Sequence, residues 1–101
     1  MQLLPSLHAT HILAYILTNK YNSVLYIGIT RNLRRRLLQH KSGKTKSSFT
    51  ARYNVTKLVY YEEFADLKTA AAREKYIKGK NRAWKNKLVE NFNPGWKELA
   101  V

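Results

Sequence analysis

A chain of 101 residues with 19 Lys and Arg against six Asp and Glu carries a formal net charge of +13. That length builds one domain around one core, large enough to fold without cross-links. The absence of cysteine excludes disulfides, thiolate metal sites and thiol nucleophiles, and no apolar run approaches the ~20 residues of a membrane helix.

Charge is distributed unevenly. Residues 1 to 61 contain no carboxylate, and nine cations lie between Arg31 and Lys57 without an anion among them. Such a field repels itself but suits a polyanion, of which nucleic acid is the commonest in a cytosol. No long basic amphipathic helix stands out, so a membrane partner is not expected. The opening MQLLPSLHAT lacks a basic n-region and is interrupted by Pro5, which makes a poor signal peptide and a cytoplasmic location the expectation. Residues 1–10 read as a flexible extension, and residues 11–99 as the single domain.

HILAYILT (His11 to Thr18) is β-branched and aromatic enough for a strand. The polar NKYNS that follows is turn chemistry, and VLYIGIT (Val24 to Thr30) is the partner strand of a hairpin. Gly28 weakens that strand and marks a position where another group approaches the backbone closely. Thr30 or Asn32 caps a helix running to about Lys41 and ended by Ser42-Gly43. Its buried stripe is Leu33 and Leu37. On the helical wheel Arg34 and Arg35 fall roughly 100° and 200° from Leu33, facing solvent, whereas Arg36 and His40 lie within about 60° of it. Of three adjacent arginines, only Arg36 belongs to the inner face.

GKTKSSFTARYN is a basic loop anchored by Phe49 and Tyr53, and KLVYYEEF (Lys57 to Phe64) a third strand. LKTAAAREKYIKGK (Leu67 to Lys80) forms a helix weakened near Gly79. NRAWKNKLVENF forms another, with Trp84, Leu88 and Phe92 as its core stripe. Asn93-Pro94-Gly95 ends it, and Trp96 folds back. The order ββα–βαα implies an α+β fold with one antiparallel sheet and helices packed on it.

Cleaving a phosphodiester needs an activated water, a positive clamp on the phosphate and help for the departing oxygen. Arg36 suits the clamp because a guanidinium grips phosphate bidentately and stays charged. His40, one turn on, can move a proton. Tyr15 and Tyr26 sit on paired strands, and surrounding cations should ease their ionisation from the usual pKa of ~10. Glu74 is the sole carboxylate between Asp66 and Glu90. It shares a helix face with Ala70, Ala71 and Ile77. Two readings of it stand level: an ion pair with Arg36 or a nearby lysine, or a ligand for Mg²⁺. Arg31, Arg34, Arg35, Lys41, Lys44, Lys46 and Arg52 are the cations expected to bind nucleic acid.

The string LAYIL…LYIGIT…LRRRLLQH, with Glu74 later, resembles the GIY-YIG nuclease superfamily, and within it the small single-domain bacterial branch. Leu13-Ala14-Tyr15 stands where the family has Gly-Ile-Tyr, so the first motif is degenerate; Tyr26-Ile27-Gly28 is intact. The likeness continues through ARYNVTKLVYYEEF, AAAREKYIKGKNRAWK and NPGWKEL. It implies a three-stranded antiparallel sheet flanked by three or more helices, and hydrolysis of DNA phosphodiesters with one Mg²⁺ or Mn²⁺ ion. By position it makes Tyr15 and Tyr26 the motif tyrosines, one of them a candidate general base, and Arg36 the transition-state arginine. His40 becomes the histidine that follows, Glu74 the metal ligand, and Asn93 the nearest match to a late polar residue. Larger relatives choose targets through an attached DNA-binding domain; without one, the expected substrate is a structure such as a nick, flap or branch, in repair or recombination. Two other readings remain. One is a non-catalytic basic nucleic-acid-binding module that keeps the fold. The other is an RNA-associated protein, which would need its aromatics exposed for stacking.

Overall fold

The run ILAYILT has no polar face, which is how a strand covered on both sides reads. In the computed structural model, which describes residues 11–42 and 52–100, it forms β1 (Ile12–Thr18), with every residue buried. β1 is the middle strand of a three-stranded antiparallel sheet of order β2-β1-β3, between β2 (Leu25–Thr30) and β3 (Lys57–Phe64). The β1–β2 connection is held by Asn19, whose Oδ1 accepts from the Ser23 amide at 2.8 Å. Asn22 adopts the left-handed conformation (φ 55°) that the tight reversal requires.

Among the described residues three helices complete the α+β fold: α1 (Leu33–Ser42), α2 (Leu67–Lys78) and α3 (Arg82–Phe92). Each begins at a residue whose side chain accepts a first-turn amide. Asn32 takes Arg35 N at 3.0 Å, Asp66 takes Thr69 N at 2.8 Å, and Asn81 takes Trp84 N at 2.8 Å. No described helix is long and apolar enough to cross a membrane. The expected N-terminal extension and the loop cations Lys44 and Lys46 lie outside the described residues.

Strand alternation divides the core in two. Leu13, Tyr15 and Leu17 face one side and pack with Leu33, Leu37, Val55 and Leu58. Ile16 faces the other, with Ile27, Val59, Tyr60, Ile77 and Val89. Val59 and Tyr60 are consecutive yet share a face, because β3 carries a bulge there: Ile16 pairs with Tyr60 and Leu17 with Leu58, leaving Val59 extra. The bulge frees the Val59 carbonyl, and Asn93 Nδ2 takes it at 3.1 Å while also donating to Lys97 O at 2.8 Å. Asn93 Oδ1 accepts from Lys97 N at 3.2 Å, and Leu99 N donates to Leu58 O at 2.8 Å. Asn93, a site candidate in the sequence, is thus buried and employed in binding the C-terminal segment to β3.

The α3 stripe departs from expectation. Trp84 and Leu88 are half-buried and Phe92 is 39% exposed, while Val89 is fully buried. Val89 lies roughly 60° beyond Phe92 on the wheel, so the helix is rotated to put the smaller residue against the sheet. Phe92 lies instead edge-on to Tyr60 and Tyr61, at 5.0 and 5.2 Å between ring centroids. Trp96 packs against the second core cluster, as its aromatic character predicts.

Replacing Asn93 by Ala strips the buried Val59 carbonyl and the part-buried Lys97 carbonyl of their donor. The expected loss is about 1–3 kcal/mol, seen as a lower urea midpoint with an unchanged denaturant slope.

Candidate active site

The site begins with a pairing of unequal residues. On the first face of the sheet Tyr15 lies directly across from Gly28, and the missing side chain is the room the phenol occupies. A Cβ on Gly28 would stand 2.7 Å from Tyr15 Oη, 2.8 Å from its Cζ and 3.0 Å from Tyr26 Cε1. The close approach expected at this glycine is therefore made by Tyr15 itself.

Helix α1 covers this ring. Its Leu33 and Leu37 are buried against the sheet, which brings Arg36 and His40 over the strands while Arg34 and Arg35 face solvent. Arg36 Nε donates to Tyr15 Oη at 3.4 Å, and Tyr15 Oη lies 3.4 Å from His40 Nε2. Tyr26 completes the cluster, its ring centroid 6.1 Å from Tyr15 and 5.3 Å from His40. Arg36 Nη1 also donates to Gln39 Oε1 at 3.2 Å. Gln39 gave no sequence signal beyond its i+3 spacing from Arg36.

Protonation follows from burial. Tyr15 is 1% exposed, and loss of hydration pushes its pKa up to about 12 despite the Arg36 hydrogen bond, which acts the other way. The expectation that nearby cations ease ionisation is reversed for Tyr15, because one half-buried guanidinium does not replace the water a phenolate loses. His40 shifts below its usual value, first through burial and then through the Arg36 charge, and so favours neutral imidazole. The phenols, Tyr15 foremost, hold Arg36 more firmly protonated than usual. A neutral His40 with its proton on Nδ1 can accept from Tyr15 Oη–H, giving a directed chain from Arg36 through Tyr15 to His40. Such bonds are long in a free site and tighten around substrate.

Beside this cluster a cleft of about 260 Å³ is lined by Thr30, Arg31, Asn32, Arg35, Arg36 and Gln39. It opens at the start of α1, where backbone amides and the helix dipole favour an anion. No acidic residue occupies that first turn. Arg31 and Arg35, named from sequence as DNA-binding cations, thus share a cleft with Arg36, and Arg34 is exposed on the same helix. Lys41 pairs with Glu98 at 3.0 Å, and Arg52 stacks over Tyr53 with 5.6 Å between its guanidinium carbon and the ring centroid.

Glu74 is not joined to the cluster by a hydrogen bond or ion pair among the described residues. Its carboxylate pairs with Lys78 Nζ at 3.2 Å, and it sits on the stripe of α2 whose Ile77 packs on the second face of the sheet. No group of three potential metal-ligating side chains occurs among the described residues. The donor chemistry nonetheless fits a hard cation held by one carboxylate, with water and phosphate supplying the rest. The Glu74 side chain is only 22% exposed, and the lysine bound to it is an exposed, displaceable partner.

Fold and site together define a member of a nuclease family. Residues 11–88 match the family model of the GIY-YIG catalytic domain, and the chain belongs to that family. Among known proteins it is similar to a UPF0213 protein of Clostridium perfringens, 39% identical over 77 residues, covering 76% of this chain and 81% of the relative. A UPF0213 protein of Syntrophus aciditrophicus is 37% identical over 73 residues, covering 72% and 83%. The solution NMR structure of a UPF0213 protein from Bacillus halodurans superposes with a TM-score of 0.50 at 30% identity, covering 79% of this chain and 83% of that one.

Two outcomes test this geometry. Gly28→Ala should displace the Tyr15 ring and cost about 1–3 kcal/mol, the usual penalty for overfilling a packed site, read as a lower denaturation midpoint. His40 should titrate by NMR below the ~6.5 of free imidazole, and Arg36→Ala should raise that midpoint without reaching 6.5, since burial remains. Because the folded-state value is depressed, stability should fall as pH drops below about 6.5, a dependence His40→Gln should remove.

Proposed function

We infer that this domain is a divalent-metal-dependent endonuclease hydrolysing DNA phosphodiester bonds, directed by DNA structure such as a nick, flap or branch, with a role in repair or recombination. The observation carrying this reading is the meeting of Arg36, Tyr15 and His40 beside the arginine cleft, with Tyr26 next to them. Membership of the GIY-YIG family supports the reaction class.

In this reading the scissile phosphate enters the cleft and Arg36 neutralises the charge that builds on it. Among the described residues Arg36 is held by Tyr15, Tyr26 and Gln39 and pairs with no carboxylate, so its charge is available to the anion. Tyr15 stays a phenol, donating to phosphate or to His40. The water-facing role falls to Tyr26, the half-exposed member, with neutral His40 within reach as proton acceptor. Glu74 would hold the Mg²⁺ or Mn²⁺ ion, which supplies Lewis-acid stabilisation at the phosphate.

One observation favours a different function. The Glu74–Lys78 ion pair is what a non-catalytic nucleic-acid-binding module with this fold would keep. Nicked and branched DNA incubated with Mg²⁺ separates the two. Cutting should be lost in Arg36→Ala and in Glu74→Gln by a hundredfold or more, while binding without metal falls less than about tenfold. Unchanged cutting by either variant removes that residue from the chemistry, and no cutting by the parent protein leaves the binding module. Affinity should also drop steeply with salt, as phosphate-led contacts do.

A further inference from the structure

At the end of the sheet where β1 turns into β2, a second cavity of about 380 Å³ opens between the hairpin turn and the segment entering β3. Two tyrosines line it, and both are unusually open for large rings: Tyr21 is 74% exposed and Tyr53 43%. Each carries a cation over its ring, Lys20 Nζ at 5.0 Å from Tyr21 and Arg52 at 5.6 Å from Tyr53. Lys20 and Lys57 line the same space, and so does the Glu98 carboxylate. Neither tyrosine belongs to the core clusters of the described residues.

We propose that this cavity stacks one unpaired nucleobase of a strand that also runs through the arginine cleft. Ring faces flanked by cations are the recurrent means of holding single-stranded nucleic acid, because every base offers a π-face. Its volume falls in the lower range of small-molecule pockets, suiting a flat heterocycle. The Glu98 carboxylate, paired through Oε2 with Lys41, keeps Oε1 to accept from the N–H edge of a base, while Lys20 and Lys57 meet the phosphates on either side.

Position agrees. Val55 and Leu99, neighbours in sequence of the pocket residues Asn54 and Glu98, pack in the cluster that contains Tyr15, so the pocket lies at the end of the catalytic face. Thr30 of the arginine cleft stands opposite Leu13, and the pocket begins at Asn19, six residues further along β1 and its turn. At ~3.3 Å per residue that is roughly 20 Å, about six stacked nucleotides at ~3.4 Å each. The site would therefore favour substrates with an unpaired base about six nucleotides from the cut. This rests on the nuclease reading for the identity of the strand, but not on catalysis.

The test is metal-free fluorescence anisotropy on the full chain, comparing a duplex bearing a short single-stranded overhang with a blunt duplex of equal length. The Tyr21→Ala/Tyr53→Ala double variant should bind the overhang substrate about fivefold or more weakly and the blunt duplex within about twofold of the parent. The Tyr21→Phe/Tyr53→Phe variant should match the parent on both. 2-Aminopurine in the overhang should be quenched by the parent protein and not by the alanine variant. Equal weakening on both substrates, no weakening, or no quenching by the parent each overturns the proposal. Failure of Arg36→Ala to stop cutting would overturn the catalytic reading alone and leave the stacking result standing.

Discussion

The placement of Tyr15 over Gly28 is the constraint from which the candidate site follows. A side chain on the edge strand would fill the slot, and the phenol would have to leave the sheet surface. With the slot open, the ring lies flat enough against β2 for Leu33 and Leu37 of α1 to close over it. That closure sets Arg36 and His40 on either side of one hydroxyl. Local sequence, strand register and helix phase therefore converge on one oxygen. The degenerate first motif, Leu13-Ala14-Tyr15, does not disturb this. Leu13 joins the core on the same face, and Ala14 is wholly buried in the middle strand.

Charge is organised around that oxygen as much as shape. Three of the six carboxylates form ion pairs away from the cleft, Glu62 with Arg73, Glu74 with Lys78 and Glu98 with Lys41, and Glu63 lies 2.7 Å from His11 Nδ1. Asp66 caps α2. At the surface such pairs contribute little to stability. Their larger effect is on where positive potential accumulates, because they neutralise cations elsewhere and leave the start of α1 basic. The same logic separates the tyrosines. Tyr60, against Glu62, is pushed up to about 12 by burial first and the carboxylate second, and serves the Arg73–Glu62 network. Tyr15 has the same elevation but a guanidinium and an imidazole as partners, which is what equips it to pass a proton.

What the sequence made legible was whatever depends on local periodicity. The wheel singled out Arg36 from Arg34 and Arg35, the apolar run identified β1, and an isolated glycine in a strand signalled a close approach. Features that depend on distant segments meeting were not legible. The bulge at Val59 leaves no trace in KLVYYEEF, so the donor it requires could not be assigned to Asn93, 34 residues away. The ionisation of Tyr15 was misjudged for a related reason. The cations can be counted in the sequence, but the burial that outweighs them is a property of the assembled core. Tyr21 and Tyr53 share a pocket only because the hairpin turn and the entry to β3 lie at the same end of the sheet.

These features divide the labour of the domain between layers of different accessibility. The groups that would bear on the reacting phosphate are few, and Tyr15 and His40 are buried and locked by α1, so their geometry is as stable as the core itself. The groups that would attract and position a strand are exposed and numerous: arginines at the start of α1, lysines and tyrosines at the sheet end. A domain this small cannot build a deep pocket, because too little chain remains to wall one off. Placing a rigid cluster of phenol, guanidinium and imidazole just beneath a basic surface would meet the same need, since a bound nucleic acid would itself become the missing wall. Water would then be excluded, and the electrostatic terms strengthened, only when a polyanion is in place.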